Sequence, residues 1–403
     1  MTESRPQPAA SGTTATVLAG FLGWTLDAFD FFLVVMTLTA IGQEFHKTDA
    51  QMALSITLTL AFRPVGALIF GLLADRYGRR MPLMIDLIFY SLIEVLTGLT
   101  HRYSTFLLLR ALFGIGMGGE WGVGASLTME KAPPRLRGLL SGLLQEGYAA
   151  GYLLAAVAYA LVFPRWGWRP LFFIGGLPAV LALFVRFGVQ ESEVWRRARS
   201  HSWKELAGGI MRHWPIFLYL VALMTMMNLS SHGTQDLYPT FLQRARGLDV
   251  QQRSTLTVIS MLGAILGGLF MGRLSDGWGR RRAMMLAFVG AILVIPLWAL
   301  PQRLALLATG AFALQFMVQG AWGVIPAHIC ELSPDSIRGF MPGFAYQCGN
   351  LVASYITVQE AHNAAQWGYA RTLMISALVI FILALVVTGL GRERGGVKFA
   401  DGL

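Results

Sequence analysis

Four polar residues recur at helical spacing in an apolar stretch near the middle of the chain. They are Asn228, Ser231, His232 and Gln235, and the spacing i, i+3, i+4 and i+7 places them on one face of a helix. Asp236 follows His232 by four residues, so these two side chains are neighbours on that helix. An imidazole beside a carboxylate can hold a proton at physiological pH, and the amides beside it can orient a polar solute. The pattern predicts a site for a proton and a small polar molecule. The alternative is a structural network that closes one end of the protein.

Charged groups also stand in apolar stretches of the first part of the chain. Asp27 and Asp30 are three residues apart and share a helical face, and Arg63 lies in the middle of the next apolar run. Burying an ionised group is costly unless it is paired, so we expect these residues to face a cavity or a partner. A guanidinium forks onto a carboxylate with two hydrogen bonds, which makes Arg63 the first candidate for binding an anion. The alternative is a permanent ion pair between Arg63 and Asp27 or Asp30.

The candidate site residues form two sets. Those that can share a proton are Asp27, Asp30, His232, Asp236 and Glu120. Those that can bind a solute are Arg63, Asn228, Ser231, Gln235, Gln145, Gln347 and Arg110. Arg110 stands near the start of an apolar run, where its long side chain could also extend to the membrane surface. Neither set has the spacing of a metal site or of a nucleophile with its base, so we expect no enzyme, no metal and no cofactor.

The composition indicates which elements must position these groups. Of 403 residues, 55% are hydrophobic and 13% are charged, which is about half of the roughly 25% charged residues usual in soluble domains. The net charge of +10 is not a basic stripe interleaved with aromatic residues, because most Lys and Arg lie between the apolar runs. Cys330 and Cys348 are too few for a disulfide framework. We therefore expect the large partner to be a lipid bilayer and not a nucleic acid.

Twelve apolar runs are long enough to cross a hydrocarbon core of about 30 Å. They cover residues 14–41, 51–74, 82–100, 105–130, 139–163, 169–188, 215–240, 253–275, 283–300, 304–331, 340–359 and 370–390. Each is predicted to be a helix, because an open strand edge leaves backbone groups unsatisfied in lipid. The first run is too long for a signal-peptide core and is expected to remain as a span. The chain is thus predicted to be an all-α membrane protein.

The loops add an orientation to this topology. The Lys and Arg excess in alternate loops predicts that the N and C termini are cytoplasmic and that the protein lies in the cell (inner or plasma) membrane. A glycine-rich stretch at residues 114–119 lies inside an apolar run and follows no strand. Close helix packing by small residues accounts for it better than a nucleotide-binding loop does.

An internal repeat decides the architecture. A shift of 201 residues places residues 71–80 on residues 272–281, Trp121-Gly122 on Trp322-Gly323, Glu130 on Glu331, and Arg137 on Arg338. Two six-helix halves in the same orientation imply a transporter with its site at their interface near mid-membrane. The predicted units are a tail at 1–13, a first bundle at 14–188, a linker at 189–214, a second bundle at 215–390 and a tail at 391–403.

The repeat also relates the two polar sets. Asp27 and Asp30 fall on Asn228 and Ser231, so we expect both pairs to face one central cavity.

The two loop motifs resemble the signature loop of the major facilitator superfamily. The first, Gly-x-x-x-Asp-Arg-x-Gly-Arg-Arg, occupies residues 71–80, and the second copy occupies residues 272–281. The segment from Asn228 to Thr240 is similar to the span-7 signature of Jen-type monocarboxylate permeases, which belong with the sialate:proton symporters. Asp27-Ala-Phe-Asp30 resembles the Asp-Gly-Phe-Asp element of related organic-acid symporters, with Ala in place of Gly. Arg110 and the element ending at Trp121 are similar to the span-4 element of this part of the superfamily.

The resemblance implies the major facilitator fold and uptake of a small carboxylate together with a proton. Sialate members carry two further spans near the middle, and this chain has no room for them, which favours the lactate and pyruvate branch. The expected partners are an organic acid anion and a proton, and the expected working unit is a monomer. The alternatives are a sialate or aromatic-acid symporter, a drug:proton antiporter, and a transporter-derived nutrient sensor.

The loop motifs also supply candidates for a gate. They are Asp75, Arg79, Arg80, Glu130, Arg137, Asp276, Arg280, Arg281, Glu331 and Arg338. An acid next to the terminus of a neighbouring helix, with basic partners, would hold the cytoplasmic side shut. Glu130 with Arg137, and Glu331 with Arg338, are the expected additional pairs. The alternative for the extra arginines is plain anchoring at the membrane surface.

Overall fold

The computed structural model describes residues 9–47, 49–177, 179–180, 184, 191–198 and 203–399. These residues form helices joined by short loops and contain no strand, so the all-α prediction is confirmed over the described chain. Parts of four predicted units lie outside this range: residues 1–8 and 400–403 of the tails, residues 48, 178, 181–183 and 185–188 of the first bundle, and residues 189–190 and 199–202 of the linker. The first helix begins at Ala9.

Within the described residues, seven α-helices before the linker can be given bounds. They are α1 (Ala9–Glu44), α2 (Asp49–Tyr77), α3 (Arg80–Gly98), α4 (Tyr103–Lys131), α5 (Arg137–Gln145), α6 (Gly147–Trp166) and α7 (Arg169–Ile174). The linker contributes α8 (Glu193–Ala198) and α9 (Trp203–Arg212). The rest of the chain forms α10 (Trp214–Gln235), α11 (Tyr238–Arg244), α12 (Val250–Trp278), α13 (Arg280–Ala299), α14 (Leu304–Leu332), α15 (Met341–Ala353), α16 (Ile356–Trp367) and α17 (Tyr369–Leu390).

Ten helical segments of the described chain are long and apolar enough to cross a membrane, as expected of a multi-pass plasma-membrane protein. The predicted span 169–188 includes residues that the structure does not describe. The predicted span 340–359 is divided between α15 and α16, because the chain turns at Ser354 and Tyr355 and leaves two shorter helices. The predicted span 139–163 is likewise divided, with α5 ending at Gln145 and α6 beginning at Gly147.

The two halves pack their helices in the same way, as the repeat requires. α2 lies along α4 in the first half, and the equivalent α12 lies along α14 in the second. Gly66 on α2 packs against the carbonyl oxygen of Ile115, and its repeat mate Gly267 packs against the carbonyl oxygen of Phe316. No side chain fits at either point, so these glycines bring two backbones together.

The halves meet at one end of the bundle. This end carries both motif loops, where Gly78 and its repeat mate Gly279 turn the chain with φ of 106° and 94°. α5 packs on α12 and α14, and the equivalent α15 packs on α2 and α4. At the centre of this contact Gly122 lies directly against Gly343. We call this the motif end and the opposite end the cavity end.

Candidate substrate and proton site

A cavity of about 360 Å³ lies between the halves at the cavity end. Aromatic side chains of the first half line it, among them Phe31, Phe32 and Tyr148, and the polar face of α10 lines the other side with His232 and Gln235. The walls therefore offer flat apolar surface on one side and hydrogen-bonding groups on the other, as ligand cavities commonly do.

Arg63 forms the floor of this space. It lines a smaller cavity of about 40 Å³ below the first, and only 4% of its surface is exposed. Its guanidinium carbon is 5.7 Å from the centre of the Tyr346 ring. Within the described chain, its Nε and Nη2 atoms have no hydrogen-bond partner. A buried guanidinium with free donors is a site for a planar anion such as a carboxylate.

The polar side chains on one face of α10, namely Asn228, Ser231, His232 and Gln235, form a connected network. Nδ1 of His232 is 3.1 Å from Oδ2 of Asp236, and Nε2 is 3.2 Å from Oδ1 of Asn350. Both ring nitrogens therefore face oxygen, which suits the doubly protonated imidazolium; a neutral ring requires the Asn350 amide to turn round. This arrangement is chemically suited to binding a proton.

Two further side chains of this face, Gln235 and Ser231, are held by amides of α14. Nε2 of Gln235 donates to Oε1 of Gln315 at 2.8 Å, and Nε2 of Gln319 donates to Oγ of Ser231 at 3.2 Å. Asn228, one turn deeper on α10, donates to the carbonyl of Met224 at 2.8 Å. These bonds fix the side chains that face the cavity.

Asp27 and Asp30 do not pair with Arg63. Both residues are completely buried, and none of their four carboxyl oxygens has a hydrogen-bond partner among the described residues. The permanent ion pair considered for Arg63 is therefore not present in this conformation. Nor do the two acids face the cavity as their repeat mates Asn228 and Ser231 do. They lie behind the wall, inside the first half, because the other helices of that half cover their side of α1.

Arg110 is also placed differently from the expectation. It does not extend to the surface but is completely buried, where it forms an ion pair with Glu94 and donates to Oγ1 of Thr97 at 2.8 Å. Glu94 and Asp30 meet beside Gly175, where a side chain at that glycine would overlap both. Glu120 is 1% exposed on α4 and close enough to Asp27 for the two to interact electrostatically. These groups form an acidic cluster behind the cavity.

Of the other solute-binding candidates, some reach the cavities and some do not. Gln145 lines the floor, where its Oε1 accepts from Nε1 of Trp121 at 3.4 Å. Gln347 and Arg110 line neither the cavity nor the smaller cavity below it.

Sequence reasoning missed two buried acids, Asp86 and Glu360, and Glu360 on α16 is 1% exposed. Asp86 on α3 is 1% exposed, and its two carboxyl oxygens lack partners in the part of the chain that the structure describes. An acid six residues into the apolar run after the first motif loop was the available signal.

At the motif end, each motif acid holds the start of a helix in the other half. Oδ1 and Oδ2 of Asp75 accept from the amides of Gly339 and Phe340 at 2.8 and 2.9 Å. Asp276 accepts from the amides of Gly138 and Leu139 at 2.7 and 3.1 Å. A carboxylate at a helix N-terminus is favoured by the unpaired amides there.

The expected pairs Glu130–Arg137 and Glu331–Arg338 are wrong. Arg137 crosses to the other half and lies 3.0 Å from Glu331, which also binds Arg280 at 3.0 Å. Glu130 binds Arg79 at 3.1 Å within its own half.

Arg338 makes a looser crossing contact to Glu130 at 3.7 Å and pairs with Asp335. The ring of Phe399, from the C-terminal tail, lies 3.8 Å from the guanidinium carbons of both Arg137 and Arg338. The pairing thus bridges the halves, since α5 packs on the opposite half.

The second arginine of each motif has a different role. The amide of Arg80 donates to Glu191 at 3.2 Å, and the amide of Arg281 donates to Glu393 at 2.9 Å. Burial opposes the charge on Glu393, but the backbone amides of Arg281, Arg280 and Gly395 outweigh it and lower the pKa of that carboxyl. The linker and the C-terminal tail therefore each cap the helix that follows a motif loop.

Comparison with known proteins matches this architecture. A family model described as Major Facilitator Superfamily matches residues 20–252 and 237–399. A carboxylic acid transporter protein homolog of Saccharomyces cerevisiae is 28% identical over 93% of this chain and 67% of its own. The sialic acid transporter NanX of Escherichia coli is 26% identical over 93% of each chain. The solved structure of the proton:xylose symporter XylE superposes with a TM-score of 0.79 at 17% identity, over 97% of this chain and 98% of its own.

Proposed function

We propose that this chain, which belongs to the Major Facilitator Superfamily, is a proton-coupled symporter. It would import a short monocarboxylate of the lactate and pyruvate class by alternating access. The observation that carries the proposal is Arg63, a buried guanidinium with free donors at the floor of a cavity between the halves. The similarity to relatives that carry carboxylic and sialic acids supports an acid as the solute.

Binding would use both halves at once. The carboxylate would fork onto Arg63, and Asn228, Ser231, Gln235 and Gln145 would orient it from the cavity walls. Because the polar groups come from both halves, a bound acid draws the halves together. This is the step that closes the cavity end.

The proton would be shared by His232 with Asp236 at the cavity and by Asp27, Asp30 and Glu120 behind it. A monoanion that moves with one proton is electroneutral, so the pH gradient would drive uptake with about 1.4 kcal/mol per pH unit. Without the proton, the cluster behind the wall would carry uncompensated charge in an apolar interior, which opposes closure.

The conformation supports alternating access. The cavity is accessible at one end while Asp75, Asp276, Arg137 and Glu331 tie the halves together at the other. With the motif end on the cytoplasmic side, this is the outward-open state, and the motif-end contacts must break for release.

A second candidate is a larger carboxylate, such as an aromatic acid or sialate. The cavity volume of about 360 Å³ favours it, since cavities of about 300–1,000 Å³ enclose drug-sized ligands. The stacked rings of Trp24 and Tyr148, 5.7 Å apart, would suit a flat body.

The test is uptake of labelled lactate into proteoliposomes under an inward proton gradient, with pyruvate, benzoate and sialate as competitors. We expect uptake to follow the pH gradient and to ignore the membrane potential. Asp27→Asn and His232→Ala should each lower accumulation by at least about tenfold, because each variant removes a group proposed to carry the coupled proton. Competition by benzoate or sialate with no lactate uptake would select the second candidate. If no acid moves under any gradient, the proposal is wrong.

A further inference from the structure

The predicted fifth span is interrupted at Glu146. α5 ends at Gln145 and α6 begins at Gly147, with Glu146 in the turn between them. Its neighbours Gln145 and Tyr148 line the cavity floor, whereas Glu146 does not. Only 5% of its surface is exposed. The break therefore turns one carboxyl away from the cavity and into the protein.

Glu146 points into the contact between the halves. Its Oε1 occupies the space that a side chain at Gly268 of α12 would fill, and the carbonyl oxygen of Gln319 on α14 borders the same space. One turn earlier, Gly142 packs directly against the carbonyl of Gly268. The carboxyl thus lies between two helices that belong to opposite halves and that separate when the motif end opens.

Nothing in the closed contact balances a charge on this carboxyl. Its Oε1 has no hydrogen-bond partner within the described chain, and no charged or titratable side chain of α12, α14 or the helices of its own half interacts with it there. The carbonyl oxygen of Gln319, which borders the same space, repels an anion. A dehydrated carboxylate without a counter-ion is strongly disfavoured, whereas a protonated carboxyl is a neutral polar group that can also donate.

The internal repeat gives an independent reading of the same position. The repeat mate of Glu146 is Gln347 on α15, which is 1% exposed in the pseudo-equivalent contact between the halves. An amide has nearly the shape of a protonated carboxyl and never ionises. One of the two contacts is therefore built around a permanently neutral side chain of the same length, and the other around a side chain that is neutral only when protonated.

We propose that Glu146 is a second proton-binding site, separate from the cavity set, and that it must carry a proton before the halves can close at the motif end. This inference rests on the alternating access proposed above but not on the identity of the solute. When the halves part, the carboxyl is uncovered toward the motif end and exchanges its proton with that side. Acidification there would therefore hold the carrier with its cavity end open, which limits further import of acid.

The sign of the effect separates Glu146 from the other acids of the contact. Protonation of Asp75, Asp276 or Glu331 would weaken the motif-end bonds and open the contact at low pH. Protonation of Glu146 closes it at low pH. One bound proton changes the ratio of closed to open molecules by up to about tenfold per pH unit.

The experiment measures closure directly and needs no transport. Spin labels are placed on cysteines at Leu136 and Trp278, which are exposed at the motif end in opposite halves, in a Cys348→Ser background since Cys330 is buried. Distances are measured between about pH 5 and about pH 8, spanning the range in which shifted carboxyls titrate. We expect the parent protein to pass from closed to open as the pH rises. Glu146→Gln should stay closed throughout, with its pH dependence lost.

Two further variants guard against a folding defect. Glu146→Asp should keep a pH-dependent closure, and Gln347→Glu should steepen it by adding a second titrating group to the equivalent contact. If Glu146→Gln opens with the same pH dependence as the parent, the inference is wrong. The proposed function fails on a different result, namely the absence of proton-driven uptake in the parent protein, whatever the distances show.

Discussion

The two halves share one helix plan and one loop motif, yet they carry different chemistry. The first half buries charges inside its spans at positions where the second half has neutral residues. The buried groups are Asp27, Asp30, Arg63, Asp86, Glu94, Arg110, Glu120 and Glu146. In the same order, their repeat mates are Asn228, Ser231, Ala264, Ala287, Ile295, Ala311, Ala321 and Gln347.

The second half compensates with neutral hydrogen bonds. Its cavity side chains bind one another, as Gln235 binds Gln315 and Gln319 binds Ser231, whereas the acids of the first half have oxygens without partners in the described chain. A satisfied neutral network is rigid, and an unsatisfied acid responds to protons. The two halves thus share one mechanical frame, whereas most of the buried ionisable groups lie in the first half and the second half contributes His232 with Asp236.

The largest effect is expected from removing Arg63, the buried cation at the cavity floor in the first half. Arg63→Ala should abolish uptake and solute exchange alike, with a loss of about 2–5 kcal/mol in binding, because a buried anion would lose its partner. Arg63→Lys should recover part of the lost binding free energy, since an ammonium keeps the positive charge but cannot form two parallel hydrogen bonds to a carboxylate. Binding is measured by titration calorimetry and uptake in proteoliposomes. Normal binding by Arg63→Ala would show that the anion lies elsewhere.

A smaller effect should distinguish the two crossing arginines at the motif end. Arg137 lies 3.0 Å from Glu331, whereas Arg338 lies 3.7 Å from Glu130. Losing a hydrogen bond to a charged group costs about 1.5–3 kcal/mol, so Arg137→Ala should shift the equilibrium toward opening at the motif end by at least about tenfold. Arg338→Ala should shift it less. Distances between spin labels across the motif end measure both, and equal shifts would contradict the asymmetry.

The smallest effect is expected from the neutral hydrogen bonds of the second half. Gln315→Ala removes the bond from Gln235 and should weaken solute binding by about 0.5–1.5 kcal/mol, the usual worth of a neutral hydrogen bond. The pH dependence of uptake should stay the same, because no charge is altered. A changed pH profile would mean that Gln315 acts on the proton that His232 and Asp236 bind, and not only on the solute.

The sequence predicted most of the frame, because composition and periodicity follow directly from burial in lipid. Most helices and the repeat could be read from apolar runs and from the 201-residue offset, but the breaks at Glu146 and Ser354 could not. The faces of α10 were also predictable, since the spacing of His232 and Gln235 fixes one side of a helix.

The sequence pattern does not predict which neighbouring helices cover a given helix face. The spacing of Asp27 and Asp30 gives one face of α1 but does not say that their own half covers it. The motif-end pairing failed for a related reason. Arg137 and Arg338 have the same residue type and the same spacing from Glu130 and Glu331, so pairing within a half and pairing across halves are equivalent in sequence. Only the packing of α5 on α12 and α14 decides between them.

The backbone contact between Gly122 and Gly343 has a mechanical consequence. No side chain lies between the two glycines, so the backbones of the two halves are in direct contact at this point. Trp121 and Tyr346, which flank this contact with ring centres 4.6 Å apart, link it to the floor of the cavity. Because this contact lies next to the cavity floor, a small rotation of one half about it would produce a wide opening at either end of the molecule.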